Sequence, residues 1–357
     1  MSRAARNALA SRSFRQSVRN GSALRSPAAR ALMSAGAATA VWHGARNGSE
    51  GWWQHRNGGY GWIGPLFWPF AYYDIYGYTL WGYGYDDAFW GYGYDDIYAG
   101  IFGPYGYNDL MGYAPRYAGR RARGPRTGFA LAQMCGDDSR NIAGLPIEQI
   151  QQAILPTEAQ RAALDDLANA SLKAAQDIKA ACPTDIALTA PSRLAAMQQR
   201  IEAMVAAVQS VQPPLEKFYA LLSDEQKARI NALANNERET GKSATAAMDQ
   251  NCGASQPGLT AWPTTEIDRV VRPTEAQRAG LTALQDAAAR AADMLKAACP
   301  TENALTPPAR LAAVGTRLDA MLQAVKMVRS ALDAFYASLG DEQKANFDAI
   351  GPRRAGG

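Results

Sequence analysis

The sequence predicts an all-α fold in which two tandem long helical hairpins follow a low-complexity N-terminal region rich in Gly, Tyr and Trp. Three observations lead to this prediction. The chain matches itself without gaps at an offset of 117 residues. Each copy carries apolar residues at three- and four-residue spacing, the period of an amphipathic helix. Fourteen of the sixteen tyrosines and six of the eight tryptophans lie between residues 51 and 117, so the aromatic region is a different kind of sequence.

Composition and charge divide the 357 residues into four parts. Residues 1–50 form a basic arm, 51–126 the aromatic segment with a basic linker, 127–245 the first helical repeat and 246–357 the second. The basic residues of the arm suit a contact with acidic lipid headgroups or nucleic acid, and they favour the start of an export signal. Ala31–Trp42 is the nearest approach to the apolar core of such a signal. We expect a location in the periplasm or cell envelope, with membrane association left open.

The repeat is strong, because about 47 of about 100 aligned positions are identical. Convergent helix composition does not produce such identity, so the two copies come from a duplication. The first long helix is predicted from about Thr157 to Ala181, and Cys182-Pro183 ends it since proline disfavours helix in the residue before it. The second long helix begins at Thr189, or at Thr306 in the second copy.

Each copy contains two occurrences of a Thr/Ser-x-x-Gln signature. The pairs are Thr157 with Gln160, Ser223 with Gln226, Thr274 with Gln277, and Gly340 with Gln343, where glycine stands in place of Thr or Ser. The signature resembles the LTXXQ-motif family, which includes the periplasmic chaperone Spy and the stress protein CpxP, and the resemblance covers roughly residues 135–352. Physically it is a capping box, in which the hydroxyl accepts the N3 backbone N–H and the Gln side chain returns to the cap's own N–H. The motif residues are therefore predicted to begin helices rather than to bind a ligand.

The resemblance implies cradle-shaped helical dimers that bind unfolded or partly folded proteins without ATP. Tandem copies are expected to mimic that dimer inside one chain, and further self-association stays open. The predicted client-binding surface is the apolar helical faces, represented by Met197, Met204, Phe218, Met321 and Phe335. Methionines at these positions also suit ordinary core packing.

The four cysteines allow three pairings. The repeat favours Cys135–Cys182 and Cys252–Cys299, because equivalent residues then pair within each copy. Four reduced buried thiols are the alternative. The sequence contains no CxxC spacing, which argues against redox catalysis and against a zinc ribbon.

Both histidines, His43 and His55, lie in the N-terminal part, so no Ser-His-Asp or Cys-His arrangement can form in the repeats. We expect a protein that is not an enzyme and uses no cofactor, resident metal or nucleic acid. Its expected function is that of an ATP-independent envelope chaperone or stress-response protein. Metal sensing, as in some relatives of the wider family, is an alternative.

The aromatic segment supports a further alternative. Trp81-Gly-Tyr-Gly-Tyr-Asp-Asp87 recurs nine residues later from Trp90 to Asp96, and its glycines argue against a long helix. Because Tyr and Trp favour membrane–water interfaces, residues 51–117 could attach the chain to a membrane surface or an envelope polymer. Deletion of residues 51–117 is expected to abolish attachment and to leave chaperone activity intact.

Overall fold

The computed structural model describes Thr79 and residues 94–102, 147–181, 187, 189–240, 262–299 and 304–350. Within these ranges the chain forms nine α-helices and no strand, which confirms the predicted all-α class. The helices are α1 (Tyr94–Phe102), α2 (Ile147–Ile154), α3 (Glu158–Ala180), α4 (Ala190–Ala220), α5 (Asp224–Thr240), α6 (Thr264–Val270), α7 (Glu275–Ala297), α8 (Pro307–Ala337) and α9 (Asp341–Asp348). The basic arm, the linker, the Trp81 and Trp90 motifs up to residue 93, and Cys135, Cys182 and Cys252 lie outside the described residues.

The two copies have the same helix order, with α2–α5 in the first and α6–α9 in the second. The long helices match in length, since α3 and α7 have 23 residues each and α4 and α8 have 31 each. Thr189 and Thr306 cap α4 and α8 as predicted, each accepting a hydrogen bond from the N3 backbone N–H. Pro213 and Pro214 lie inside α4 without ending it.

The predicted apolar stripes form the core of each hairpin. In each copy the first long helix packs lengthwise on the second, α3 on α4 and α7 on α8. The stripe of α3 is buried, including Ser171, whose Oγ donates to the Leu167 carbonyl at 2.8 Å. The stripe of α8 is buried along its whole length, from Leu311 to Phe335. Burial of this apolar surface is the main favourable contribution to folding of the hairpins.

The copies join through α4 and α8, which pack closely along their length. Arg329 Nη1 donates to Gln198 Oε1 at 2.9 Å, and Gln212 Nε2 donates to the Pro308 carbonyl at 3.3 Å. As the position on α4 advances, its partner on α8 recedes, so the two helices are antiparallel. The order of packing is therefore α3, α4, α8, α7, and the contact between the hairpins is formed by α4 of the first and α8 of the second.

Helix α1 belongs to the aromatic segment, yet it packs against α4. Four of its side chains have no exposed surface, namely Ile97, Tyr98, Ile101 and Phe102. This corrects the expectation that the aromatic segment is separable from the helical repeats. Deleting residues 51–117 would remove part of the core and expose the apolar surface that α1 covers. The glycines argue against a long helix, and the described helix of this segment has nine residues.

Among the described helices, none is both long enough and apolar enough to cross a membrane.

Candidate functional site

The capping boxes of the first copy are present at the start of α3 and α5. Gln160 N–H donates to Thr157 Oγ1 at 3.3 Å, and Thr157 N–H donates to Gln160 Oε1 at 3.0 Å. At α5, Gln226 N–H donates to Ser223 Oγ at 3.3 Å, and Ser223 N–H donates to Gln226 Oε1 at 2.9 Å. Each box satisfies two backbone donors that a helix start leaves without an intrahelical partner.

The two motif glutamines also bond to each other, which the sequence did not predict. Gln160 Nε2 donates to Gln226 Oε1 at 2.8 Å, and Gln226 Nε2 donates to Gln160 Oε1 at 2.9 Å. Their remaining amide protons reach the Leu221 carbonyl after α4, at 2.8 Å, and the Ile154 carbonyl of α2, at 3.0 Å. One amide pair therefore ties together the ends of four helices.

The second copy repeats this glutamine pair. Gln277 and Gln343 exchange Nε2–H to Oε1 hydrogen bonds, each of 2.9 Å, and also donate to the Ser338 and Val271 carbonyls at 2.7 and 3.1 Å. The Thr274 box at α7 is complete. Gly340 has no hydroxyl to offer, and it keeps only the return bond from its N–H to Gln343 Oε1, at 3.0 Å.

Each glutamine pair adjoins a strained residue just before a proline. Leu155 and Arg272 occupy equivalent positions and have φ of 47° and 51°, in the left-handed region that non-glycine residues rarely adopt. Leu155 N–H donates to the Gln151 carbonyl at 3.0 Å, which ends α2 in the manner of a left-handed cap. In the second copy Arg272 N–H instead donates to the Ile267 carbonyl, at 3.4 Å, so the positive φ recurs while the hydrogen bond differs.

Four arginines on α4 and α8 are almost completely buried, at no more than 2% exposed: Arg193, Arg200, Arg310 and Arg317. Arg200 Nη1 donates to the Ile178 carbonyl at 2.9 Å, and Arg317 Nη1 donates to the Leu295 carbonyl. Both carbonyls lie in the last turn of the neighbouring helix, where backbone acceptors lack intrahelical partners and carry partial negative charge. Burial lowers the pKa of Arg200 to about 10, so it stays charged at neutral pH.

Arg193 binds the C-terminal end of α1 instead. Its Nε donates to the Gly100 carbonyl at 2.6 Å and its Nη2 to the Ile101 carbonyl at 2.8 Å. Phe102 then meets two aromatic rings of the second copy, with ring centroids 5.0 Å from Trp262 and 5.7 Å from Phe347. Helix α1 therefore lies between an arginine of one copy and an aromatic cluster of the other.

Asp348 links the copies at the same place. Its Oδ1 accepts the Ala190 N–H at 2.8 Å, and its Oδ2 accepts the Tyr336 hydroxyl at 2.6 Å. Ala190 is the first residue of α4, so the carboxylate satisfies a free helix-start donor and faces the positive end of the helix. Burial, then the hydrogen bond to Asp348, raises the pKa of the Tyr336 hydroxyl far above its ordinary range.

The equivalent end of α8 is closed differently. Arg310 Nε donates to the Thr79 carbonyl at 3.0 Å and its Nη1 to the Leu305 carbonyl at 2.7 Å. Thr79 belongs to the aromatic segment, so both equivalent arginines bind main-chain carbonyls of that segment. A small apolar pocket lies nearby, with Phe218, Ile230 and Pro307 among its lining residues.

The five residues predicted to form the client-binding surface are buried in the core. Met197, Met204, Phe218, Met321 and Phe335 are each 4% exposed or less. This corrects their prediction as an accessible face, because the same apolar stripe that could attract a client is used to pack α4 and α8. A client could contact them only if the helices separated.

Cysteine pairing stays a prediction. Cys299 is disulfide-bonded, and the other members of the predicted pairs Cys135–Cys182 and Cys252–Cys299 lie outside the described residues. Among the described residues, no three His, Cys, Asp or Glu side chains come together as a metal-binding group.

Sequence reasoning missed the glutamine pair, the buried arginines and the docking of α1. The sequence does contain patterns that indicate the glutamine pair and the buried arginines. The motif glutamines recur at the same internal spacing in both copies, 160 with 226 and 277 with 343. Arg193 and Arg200 lie four residues before and three after Met197, at the edge of the buried stripe, and both are identical in the second copy. Only α1 had no such signal, because its partners are distant in sequence.

These features define a class of protein: an all-α tandem repeat whose helix-start motifs close each hairpin through paired glutamines. The family described as LTXXQ motif family protein matches the chain at residues 142–234 and 259–351, together just over half of its length. The protein belongs to the LTXXQ motif family, with two units in tandem at the offset of the internal repeat. No curated protein and no solved structure matches the chain.

Proposed function

We propose that the protein is an ATP-independent, non-enzymatic chaperone of the periplasm or cell envelope that holds unfolded or partly folded proteins. The observation that carries the proposal is the joining of two LTXXQ-family hairpins along α4 and α8. The family resemblance implies a cradle built from two such hairpins in two chains. Here one chain supplies both, so the arrangement does not depend on protein concentration.

Polar contacts support the pairing of the hairpins. Lys326 Nζ lies 3.2 Å from Glu202 Oε1, beside the Arg329–Gln198 hydrogen bond. At Gly315 of α8, an added Cβ would lie 3.3 Å from Val208 Cγ1 of α4, so the small residue lets the two helices approach closely. A holdase built this way would keep a fixed two-hairpin body while clients bind and leave.

The direct test is suppression of aggregation of a chemically denatured client, followed by light scattering without ATP. We expect suppression at stoichiometric protein, and no effect at that ratio would overturn the proposal. The Gly315→Trp side chain should force α4 and α8 apart. The variant should then suppress client aggregation to a different extent from wild type. Gly280→Ala is the matched control, because its Cβ would meet Phe335 at an ordinary 3.5 Å within one copy.

The attachment function is the second candidate, and one observation bears on it. In the α1 part of the aromatic segment, Ile97, Tyr98, Ile101 and Phe102 pack into the core, where a membrane or polymer does not reach them. Attachment would therefore depend on the other aromatic residues of 51–117. Binding of the full chain to lipid vesicles or envelope polymer, measured by co-sedimentation, distinguishes this candidate from the chaperone.

A further inference from the structure

We infer that the surface covered by α1 is the client-binding site, and that α1 is an internal substitute for a client segment. This inference rests on the proposed chaperone function. It adds the place on the protein where a client binds and the kind of client segment that binds there. The α1 seat is defined here as Arg193 of the first copy with Trp262 and Phe347 of the second. Its ligand is a short apolar segment, containing an aromatic residue, that becomes helical when bound.

The seat recognises features that many unfolded chains share. Arg193 donates to the carbonyls of Gly100 and Ile101, which are main-chain atoms at a helix end and are available from any helical segment. The remaining contact is apolar and aromatic, because Phe102 packs edge-on against Trp262 and Phe347. Such a site selects for apolar bulk and a helix end rather than for a sequence.

The bound segment is one that a client can replace. Helix α1 has nine residues, whereas isolated helices shorter than about 12–15 residues are marginal in water. It must therefore gain its helical order from docking, which consumes part of the binding free energy. The result is an intramolecular ligand whose net affinity is modest for the area it buries, and an external segment in sufficient concentration can compete with it.

The seat also needs both copies. Arg193 comes from α4, while Trp262 precedes α6 and Phe347 lies in α9. Phe335 packs on Phe347 at 5.5 Å between ring centroids, and Asp348 connects the same cluster to the start of α4. Without α1, Trp262 and Phe347 would lose the cover of Phe102 and form an exposed apolar patch, the kind of surface that binds other chains. An internal segment that covers the patch keeps the protein from associating until a client arrives.

The test uses the full chain and a fluorescent peptide of residues 93–103. Ile101→Asp places a charge at a position that has no exposed surface and should release α1 from its seat. By fluorescence anisotropy, the peptide should bind the Ile101→Asp protein at least about tenfold more tightly than wild type, whose seat is already filled. Adding Arg193→Ala to Ile101→Asp should weaken binding by about tenfold or more. A peptide with Ile101 and Phe102 replaced by Ser is the matched control and should not bind.

A second measurement needs no variant and avoids the risk that Ile101→Asp fails to fold. In wild type, adding a denatured client should raise amide hydrogen exchange at residues 94–102 and leave α3 and α7 unchanged. Suppression of aggregation without that rise, together with no peptide binding to Ile101→Asp, would overturn this inference and leave the proposed function standing. Peptide binding with no suppression by any variant would support the seat and overturn the chaperone function.

Discussion

The two ends of the α4–α8 pair are equivalent by the repeat, yet they are closed in different ways. At the α4 end, Asp348 accepts the Ala190 N–H and Phe347 contacts α1. At the α8 end, the equivalent of Ala190 is Pro307, which has no N–H, and the equivalents of Asp348 and Phe347 are Asn231 and Ile230.

The glutamine pairs, by contrast, are the same in both copies to within a few tenths of an ångström. The duplicated chain has thus kept the hydrogen bonds that close each hairpin and has diverged where α1 docks. Pro307 has no N–H to donate, and Asn231 has no carboxylate to accept one. The donor and the acidic acceptor that meet at the α4 end are therefore both missing from the equivalent positions at the α8 end. The two ends therefore hold the aromatic segment differently, because α1 docks at the α4 end through Arg193 and Phe347, whereas at the α8 end Arg310 binds the Thr79 carbonyl.

The largest expected effect comes from breaking the feature that the copies share. Gln160→Glu and Gln277→Glu each replace an amide donor by a carboxylate, so a part-buried main-chain carbonyl loses its donor and the partner Gln oxygen, left with only the cap N–H, faces a carboxylate. Each variant should lose about 2–3 kcal/mol of unfolding free energy, measured by urea denaturation.

Equal losses in the two copies would support their equivalence, and a difference of more than about 1 kcal/mol would contradict it. Gln323→Glu, at an exposed position of α8, is the control and should change stability by less than about 0.5 kcal/mol.

A smaller effect should distinguish the two ends. Asp348→Asn removes the charge that faces the start of α4 and should cost about 1–2 kcal/mol. The reciprocal change Asn231→Asp should have almost no effect, because Pro307 offers no N–H to accept. Thermal unfolding of both variants checks this, and a stabilising effect of Asn231→Asp would show that the ends are more alike than the contacts indicate.

Relief of backbone strain should raise the free energy of unfolding, whereas the preceding variants lower it. Leu155→Gly and Arg272→Gly should each stabilise the protein by about 0.5 kcal/mol, since glycine adopts positive φ without the Cβ clash, although it loses more entropy on folding. Leu155 is 73% exposed, so little packing is lost there. Leu155→Ala is the control and should bring no gain in urea denaturation.

The smallest expected effect is a pH dependence of the free energy of unfolding, which comes from the contact between the two copies. The hydrogen bond from Gln198, and then Lys326, lower the pKa of Glu202 below its ordinary 4.5. Because the folded pKa is depressed, the stabilisation is fully present above about pH 4.5 and is lost as the pH falls through the folded value. The pair is half-exposed, so the contribution is about 0.3 kcal/mol. The difference between wild type and Glu202→Gln in unfolding free energy should shrink below pH 4, and a constant difference would contradict the assignment.

Much of the fold was predictable because it depends on local rules. The Thr189 and Thr306 caps, the end of α3 before Cys182-Pro183, and the stripes from Leu164 to Ile178 and from Leu311 to Phe335 all follow from neighbours within four residues. The candidate site was less predictable. Met197 and Met321 were assigned to a surface because periodicity shows that a face is apolar without showing what covers it.

The sequence by itself determined the duplication, the family, the helix starts and the apolar faces, since identity, capping and helical period are written in adjacent residues. The tertiary structure decided how those faces are used. It joined α4 to α8, paired Gln160 with Gln226, and placed Arg193 at the end of α1. Arg193 and Gly100, whose carbonyl it binds, are 93 residues apart in the sequence. Contacts at that separation depend on the complementary shape and charge of the whole packed chain, and no local pattern records them.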